Sequence, residues 1–284
     1  MKRIRESLAL GSKILSESGI LEPVRDASLL MSLALKRDRA FLIAHSEYVL
    51  SDVEYKLFLS YVKRRARGEP IQYIRESQEF YGLEFTLSKD VLIPRPETEL
   101  IVETSIEFLR SMQNAKILDV GIGSGCIAIS ILHNLEHVEA VGVDVSESAL
   151  NVAKMNALKH KVMGRLELRH SNLFDAIDSR EKFDLIVSNP PYVSESEFEL
   201  LQRDVRDYEP KVALIGGSDG LSIIRRIIAD SAEYLKSKGR LVMEIGFGQA
   251  DQVSAMMDDR WQDFWFLTDL QGIKRVLIAE KAFK

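Results

Sequence analysis

The stretch KILDVGIGSGCIAISI, Lys116 to Ile131, decides how the rest of the chain is read. A short apolar run ends in Asp119-Val120, passes through Gly121-Ile122-Gly123-Ser124-Gly125, and continues into a second apolar run from Cys126. Strand, glycine turn and helix in that order begin a doubly wound α/β sheet, whose ligands bind at the carboxyl edge of the strands. Glycines let a ligand approach the backbone, and the start of the following helix presents free N–H groups.

Outward from this unit, strands and helices alternate to the end of the chain. Apolar runs at 116–120, 140–145, 165–170, 183–188, 240–245, 264–269 and 275–279 read as strands, with helical patterns between most of them. Near-continuous apolar strands separated by helices indicate a parallel sheet covered on both faces. The last two runs are joined closely through Gln271-Gly272-Ile273, so an antiparallel strand is expected to finish the sheet. Upstream, 97–110 reads as a helix, and 76–93 changes to a two-residue period around Gly82, as a β-hairpin linker does. Residues 1–75 carry apolar positions at helical spacing, such as Val24, Ala27, Leu30 and Met31, then Val53, Leu57, Phe58 and Val62. Ser51-Asp52 reads as an N-cap with an acidic first turn, and Gly68 and Pro70 close the last helix. The expected division is a helical bundle at 1–75, a hairpin linker at 76–93 and an α/β domain at 94–284.

The glycine spacing is G-x-G-x-G; a dinucleotide fingerprint would need glycine at Cys126, which turns the reading away from a nicotinamide cofactor. Asp144 ends the second strand roughly 20 residues on, where a carboxylate accepts both ribose hydroxyls of a nucleoside. A ligand with an adenosine end fits both features. After the third strand, Asn172 is placed to meet the adenine edge, with Leu173 or Phe174 against its face; a loop-capping role for Asn172 is the alternative.

The fourth strand ends in Ser188-Asn189-Pro190-Pro191-Tyr192-Val193 at the same edge. Two prolines fix φ and remove backbone donors, leaving a cluster of acceptors. The Asn189 side-chain oxygen and the Pro190 carbonyl can accept both hydrogens of a planar NH2 group while the Tyr192 ring packs on its face. Such a nitrogen, drawn toward a pyramidal shape, can attack an aligned electrophilic carbon, the rate coming from positioning and fixed dipoles. The electrophile that carries an adenosine end is the methylsulfonium of S-adenosylmethionine, which leaves as S-adenosylhomocysteine. The plainer alternative is that Asn-Pro-Pro only stops a strand.

Bulk features narrow the class. One cysteine and five scattered histidines leave no disulfide and no metal site. No apolar run approaches the roughly 20 residues that span a bilayer, and the start has no signal-peptide pattern, so a cytoplasmic protein without a membrane partner is expected. Residues 1–75 hold 14 Lys and Arg against 9 Asp and Glu, whereas the remainder holds 24 against 34. That acidity argues against direct nucleic-acid binding, which rests on clustered Lys and Arg.

The segments Ile93-Pro94-Arg95-Pro96-Glu97-Thr98-Glu99, Asp119 to Gly125, Asn189 to Val193, and Glu209-Pro210 followed by Gly216-Gly217-Ser218-Asp219-Gly220-Leu221 resemble the HemK/PrmC family, the release factor glutamine methyltransferases. The resemblance covers nearly the whole chain. It implies a Rossmann-like S-adenosylmethionine-dependent domain behind an N-terminal helical substrate-recognition domain. The implied reaction is methyl transfer to the glutamine side-chain amide in the Gly-Gly-Gln motif of class 1 peptide chain release factors. By the same resemblance, Asn189 and Pro190 hold that amide beside Pro191, and Tyr192 packs on it. Gly121, Ile122, Gly123, Ser124, Gly125, Asp144, Asn172, Leu173 and Asn189 line the cofactor, with Thr98 and Glu97 near its methionine end or on the active-site wall. A glutamine of a ribosomal protein and an adenine amino group are the competing substrates, and a non-catalytic adenosyl-binding module is the competing class.

Overall fold

A computed structural model describes residues 2–283. Two compact units emerge, Met1–Glu76 with Gln202–Tyr208, and Ser77–Leu201 with Glu209–Lys284.

The helical unit consists of helices Ile4–Glu17, Pro23–Leu35, Arg39–Ala44, Asp52–Ala66 and Ile71–Arg75. Its core is built from Ile4, Leu15, Leu30, Met31, Phe58 and Val62, all fully buried. Ser51 caps the fourth helix: its hydroxyl accepts from the Glu54 N–H, and the Glu54 carboxylate accepts from the Ser51 N–H at 2.7 Å. Gly68, at φ +100°, ends that helix in the left-handed region. Val24 and Val53, whose spacing suggests core positions, are exposed in the first turns of their helices. The unit also takes in Gln202–Tyr208, which sequence placed within 94–284; Arg65 bonds Asp26 at 2.7 Å and pairs with Asp204, and the Tyr208 hydroxyl donates to the Arg67 carbonyl.

The second unit opens with the hairpin, β1 (Ser77–Phe80) and β2 (Leu83–Thr86). Tyr81 and Gly82 both have positive φ, the two-residue turn whose twist suits paired strands. Phe80 and Phe85 bury their rings edge to face in the core of this unit.

Its main sheet contains β3 (Ala115–Val120), β4 (Val138–Asp144), β5 (Leu166–His170), β6 (Phe183–Ser188), β7 (Leu235–Glu244), β8 (Trp261–Thr268) and β9 (Lys274–Lys281). The spatial order is β5-β4-β3-β6-β7-β9-β8, parallel from β5 to β7. β9 runs antiparallel to both neighbours. The last strand of the chain is thus antiparallel, as expected, and it is inserted between β7 and β8. Along β3 the side chains alternate between two apolar layers, Ile117 on one face and Leu118 and Val120 on the other, as a sheet covered on both faces requires. The order reverses at β3, with β4 on one side and β6 on the other. Such a switch point opens a crevice beyond the carboxyl ends of the strands. The glycine turn after β3 and the Asn-Pro-Pro-Tyr segment after β6 both emerge there, with Val120 and Ser188 paired in register.

Candidate active site

The turn after β3 is tied down by backbone bonds, Gly121 and Ile122 N–H both donating to the Val143 carbonyl at 2.9 Å. Gly121 and Gly123 have φ of +76° and +56°, a region L side chains rarely adopt, and almost nothing packs where their Cβ atoms would stand. That open space belongs to a cavity of about 400 Å³. Its wall brings together Thr98, Gly121, Gly123, Asp144, Asn172 and Asn189; Ile122, Ser124, Leu173 and Pro191 are also on it. Gly125 is not. It caps the helix Cys126–Asn134 at φ +82°, and a Cβ there would lie 2.6 Å from the Ile129 side chain. Cys126 does line the cavity, but burial pushes its thiol up to about 12, which keeps it protonated.

Asp144 accepts the Gly123 N–H on Oδ2 and the Ser146 N–H on Oδ1, both at 2.9 Å. Burial raises its pKa, and those donors oppose the rise. Each oxygen retains a lone pair for a ligand hydroxyl. Asn172 accepts from the Arg226 guanidinium at 3.3 Å through its oxygen, so its amide NH2 is the group left to meet a ligand. The glycine backbone, the diol acceptor and this amide fit an adenosyl ligand. Sequence reading missed Val91, Leu92 and Pro94 on the cavity wall, because they follow the hairpin and carry no ligand chemistry of their own.

Beyond β6, the Asn189 Nδ2 donates to the Thr98 hydroxyl at 3.0 Å. Thr98 donates to Glu244 Oε2 at 2.6 Å, and the Tyr192 hydroxyl donates to Glu244 Oε1 at 3.1 Å. Glu244, at the end of β7, is 2% exposed, and burial raises its pKa against the two hydroxyl donors. Thr98, expected near the methionine end or on the active-site wall, lines the cavity and touches Asn189. Pro190 and Tyr192 are not on the wall of the 400 Å³ cavity. Tyr192 instead lines a neighbouring cavity of about 560 Å³ with Gly246 and Phe247.

The motif backbone is strapped from behind. Val193 bridges Ile215, its N–H donating to the Leu214 carbonyl and its carbonyl accepting from Gly216 N–H, each at 2.9 Å. A Cβ on Gly216 would stand 2.5 Å from the Pro191 carbonyl oxygen, and one on Gly220 2.4 Å from that of Tyr192. Gln249 donates to the Tyr192 carbonyl at 2.9 Å while its own oxygen accepts the Gly246 N–H. Glu209 accepts from Ile93 N–H and pairs with Arg95, which fixes the segment leading to Thr98. Among the described residues, no cluster of His, Cys, Asp or Glu could hold a metal ion, and no helix is long and apolar enough to cross a membrane.

An open α/β sheet with a glycine-lined adenosyl cavity beside an Asn-Pro-Pro-Tyr strand end defines a Rossmann-like methyltransferase. Residues 6–75 match the family model for the PrmC N-terminal domain, and residues 98–206 that for the methyltransferase small domain. A release factor glutamine methyltransferase from Koribacter versatilis is 40% identical over 278 residues, 98% of each chain. Another from Geobacter sulfurreducens is 41% identical over 275 residues, covering 96% of this chain and 95% of that one. The chain belongs to the release factor glutamine methyltransferase family. A methyltransferase structure from Pyrococcus furiosus shares the fold at 16% identity, with a TM-score of 0.54 over 78% of this chain and 99% of that one.

Proposed function

We propose that this protein transfers a methyl group from S-adenosylmethionine to the side-chain amide nitrogen of the glutamine in the Gly-Gly-Gln motif of class 1 peptide chain release factors. When bound, S-adenosylmethionine supplies an electrophilic methyl carbon. The glycine turn and Asp144 hold its nucleoside, and Asn172 offers an NH2 to the adenine. The Asn189 Oδ1 and the Pro190 carbonyl accept the two N–H groups of the substrate amide and aim its nitrogen along the attack line. As the nitrogen gains its fourth substituent these contacts strengthen, which lowers the barrier without a prior base.

The observation that carries this reading is the Asn189–Thr98 bond: with its NH2 on Thr98, Asn189 has its oxygen left for a substrate donor. The relatives named above support glutamine of a release factor over adenine. The acidic balance of residues 76–284 agrees, attracting a basic protein loop and repelling a phosphate backbone. The helical domain at 1–75 then recognises a second part of the release factor, and the work is done in the cytoplasm. Incubation with a purified release factor and methyl-labelled S-adenosylmethionine, followed by tandem mass spectrometry, should place the label on the motif glutamine. Label on a ribosomal protein or on nucleic acid alone would overturn the reading.

A further inference from the structure

Glu244 lies in the sheet core next to the methyl-transfer motif, yet methyl transfer as described has no use for a carboxylate there. Both Glu244 oxygens have a hydroxyl in reach, Thr98 on Oε2 at 2.6 Å and Tyr192 on Oε1 at 3.1 Å. Burial raises the Glu244 pKa and these two donors oppose the rise; in the ionised form they support, the carboxylate only accepts, so both hydroxyl protons point to it. Thr98 then presents only lone pairs to Asn189, and Asn189 must answer with its NH2, as its Nδ2 does at 3.0 Å. An asparagine amide has two flip states of nearly identical shape, and only one offers the oxygen to the cleft.

We infer that Glu244, acting through Thr98, holds the Asn189 amide in the flip state whose Oδ1 receives the substrate N–H, which makes Glu244 and Thr98 positioning residues for methyl transfer. The inference rests on the proposed function in one respect, that Asn189 Oδ1 receives the glutamine amide. The direction of every bond in the chain follows from the carboxylate. Replacing it by an amide leaves one acceptor for two hydroxyls: where the NH2 faces Thr98, the Thr98 proton is released toward Asn189, the Asn189 amide turns over, and its NH2 then faces the substrate NH2, donor against donor. The same carboxylate holds the Tyr192 hydroxyl, so one buried group orients both ends of the Asn-Pro-Pro-Tyr segment.

Single-turnover methylation of a purified release factor tests this, with cofactor affinity measured alongside by calorimetry. Thr98→Val, which keeps the shape and removes the hydroxyl, should slow transfer by about 10–100-fold at saturating cofactor, as small misplacements do. Thr98→Ser should recover most of that loss, which a purely packing role would not produce. Glu244→Gln should slow transfer to a similar extent, and the double variant Thr98→Val with Glu244→Gln should be little slower than the worse single, because both break one relay. Wild-type rates in Thr98→Val and Glu244→Gln, beside a slow Asn189→Ala, would overturn the relay and leave the proposed function standing. Additive losses in the double variant at saturating cofactor would also overturn it. An unmethylated glutamine with the wild-type protein would remove the proposed function itself, and the relay with it.

Discussion

Asn156 serves Thr86 as a substitute strand: its Oδ1 accepts the Thr86 N–H at 2.7 Å, and its Nδ2 donates to the Thr86 carbonyl at 3.0 Å. The same NH2 donates to the Ser124 carbonyl at 2.9 Å, so a single fully buried side chain ties the hairpin to the glycine turn. Among the described residues β2 has no other strand on that side; His160 bonds the Glu84 carbonyl, and without Asn156 the Thr86 N–H and carbonyl would lose their partner.

Asn156→Leu should therefore destabilise the protein by about 2–3 kcal/mol, the cost of leaving buried backbone groups unpaired. Chemical denaturation measures that loss. Cofactor affinity should fall with it, because Ser124 is released. A variant as stable as wild type would show that the tether is redundant.

Asp144→Ala should weaken S-adenosylmethionine binding by about 1–3 kcal/mol through loss of a charged acceptor for the ribose hydroxyls. The Gly123 and Ser146 N–H groups also lose their partner, so the turn itself should loosen. Titration calorimetry showing unchanged affinity would remove Asp144 from the site.

Gly220→Ala should separate chemistry from cofactor binding. The new methyl would meet the Tyr192 carbonyl oxygen at 2.4 Å, and φ of +72° is strained for alanine. The Pro191–Tyr192 backbone must shift, and transfer should slow by about 100-fold while cofactor affinity stays close to wild type. Equal losses in both quantities would mean that the strap supports the whole cavity and not this motif.

Burial lifts the Asp119 carboxyl from 3.8 to about 7, its Oδ1 having no partner. The folded state then keeps a proton that the unfolded state releases between about pH 4 and pH 7, so stability is full below this window and is lost as pH rises through it. The loss is on the order of 4 kcal/mol at most. Asp119→Asn carries no charge at any pH, so its stability should fall less than that of wild type from pH 5 to pH 8. Parallel melting-temperature profiles would contradict the shift.

The fold was legible because its strands are apolar runs bounded by turn residues, and both ligand-edge motifs sit at strand ends where a doubly wound sheet puts its site. Gly121, Gly123, Asp144 and Asn189 could be placed on local pattern alone. The supporting groups could not. Glu244 ends a strand in Leu241-Val242-Met243-Glu244-Ile245, where an acid reads as a surface residue, and its partner Thr98 is 146 positions away. Asn156 is one of several polar residues in the helix Glu147–Lys159, with nothing in the sequence to single it out, and its partners lie 70 and 32 positions back. Strand order beyond β7 was likewise silent, since the insertion of β9 depends on pairing and not on period. The bond from the Tyr192 hydroxyl to Glu244 was out of reach for the same reason, a contact no motif announces.

The central claim is that Asn189 offers an acceptor that strengthens in methyl transfer. Its most direct test is the single-turnover rate of glutamine methylation by Asn189→Ala, read beside the dissociation constant for S-adenosylmethionine. The rate should fall by about 10²–10³-fold, as for the loss of one preorganised polar contact, and far more than cofactor binding weakens. An undiminished rate would contradict it and reduce Asn189-Pro190-Pro191 to a strand stop.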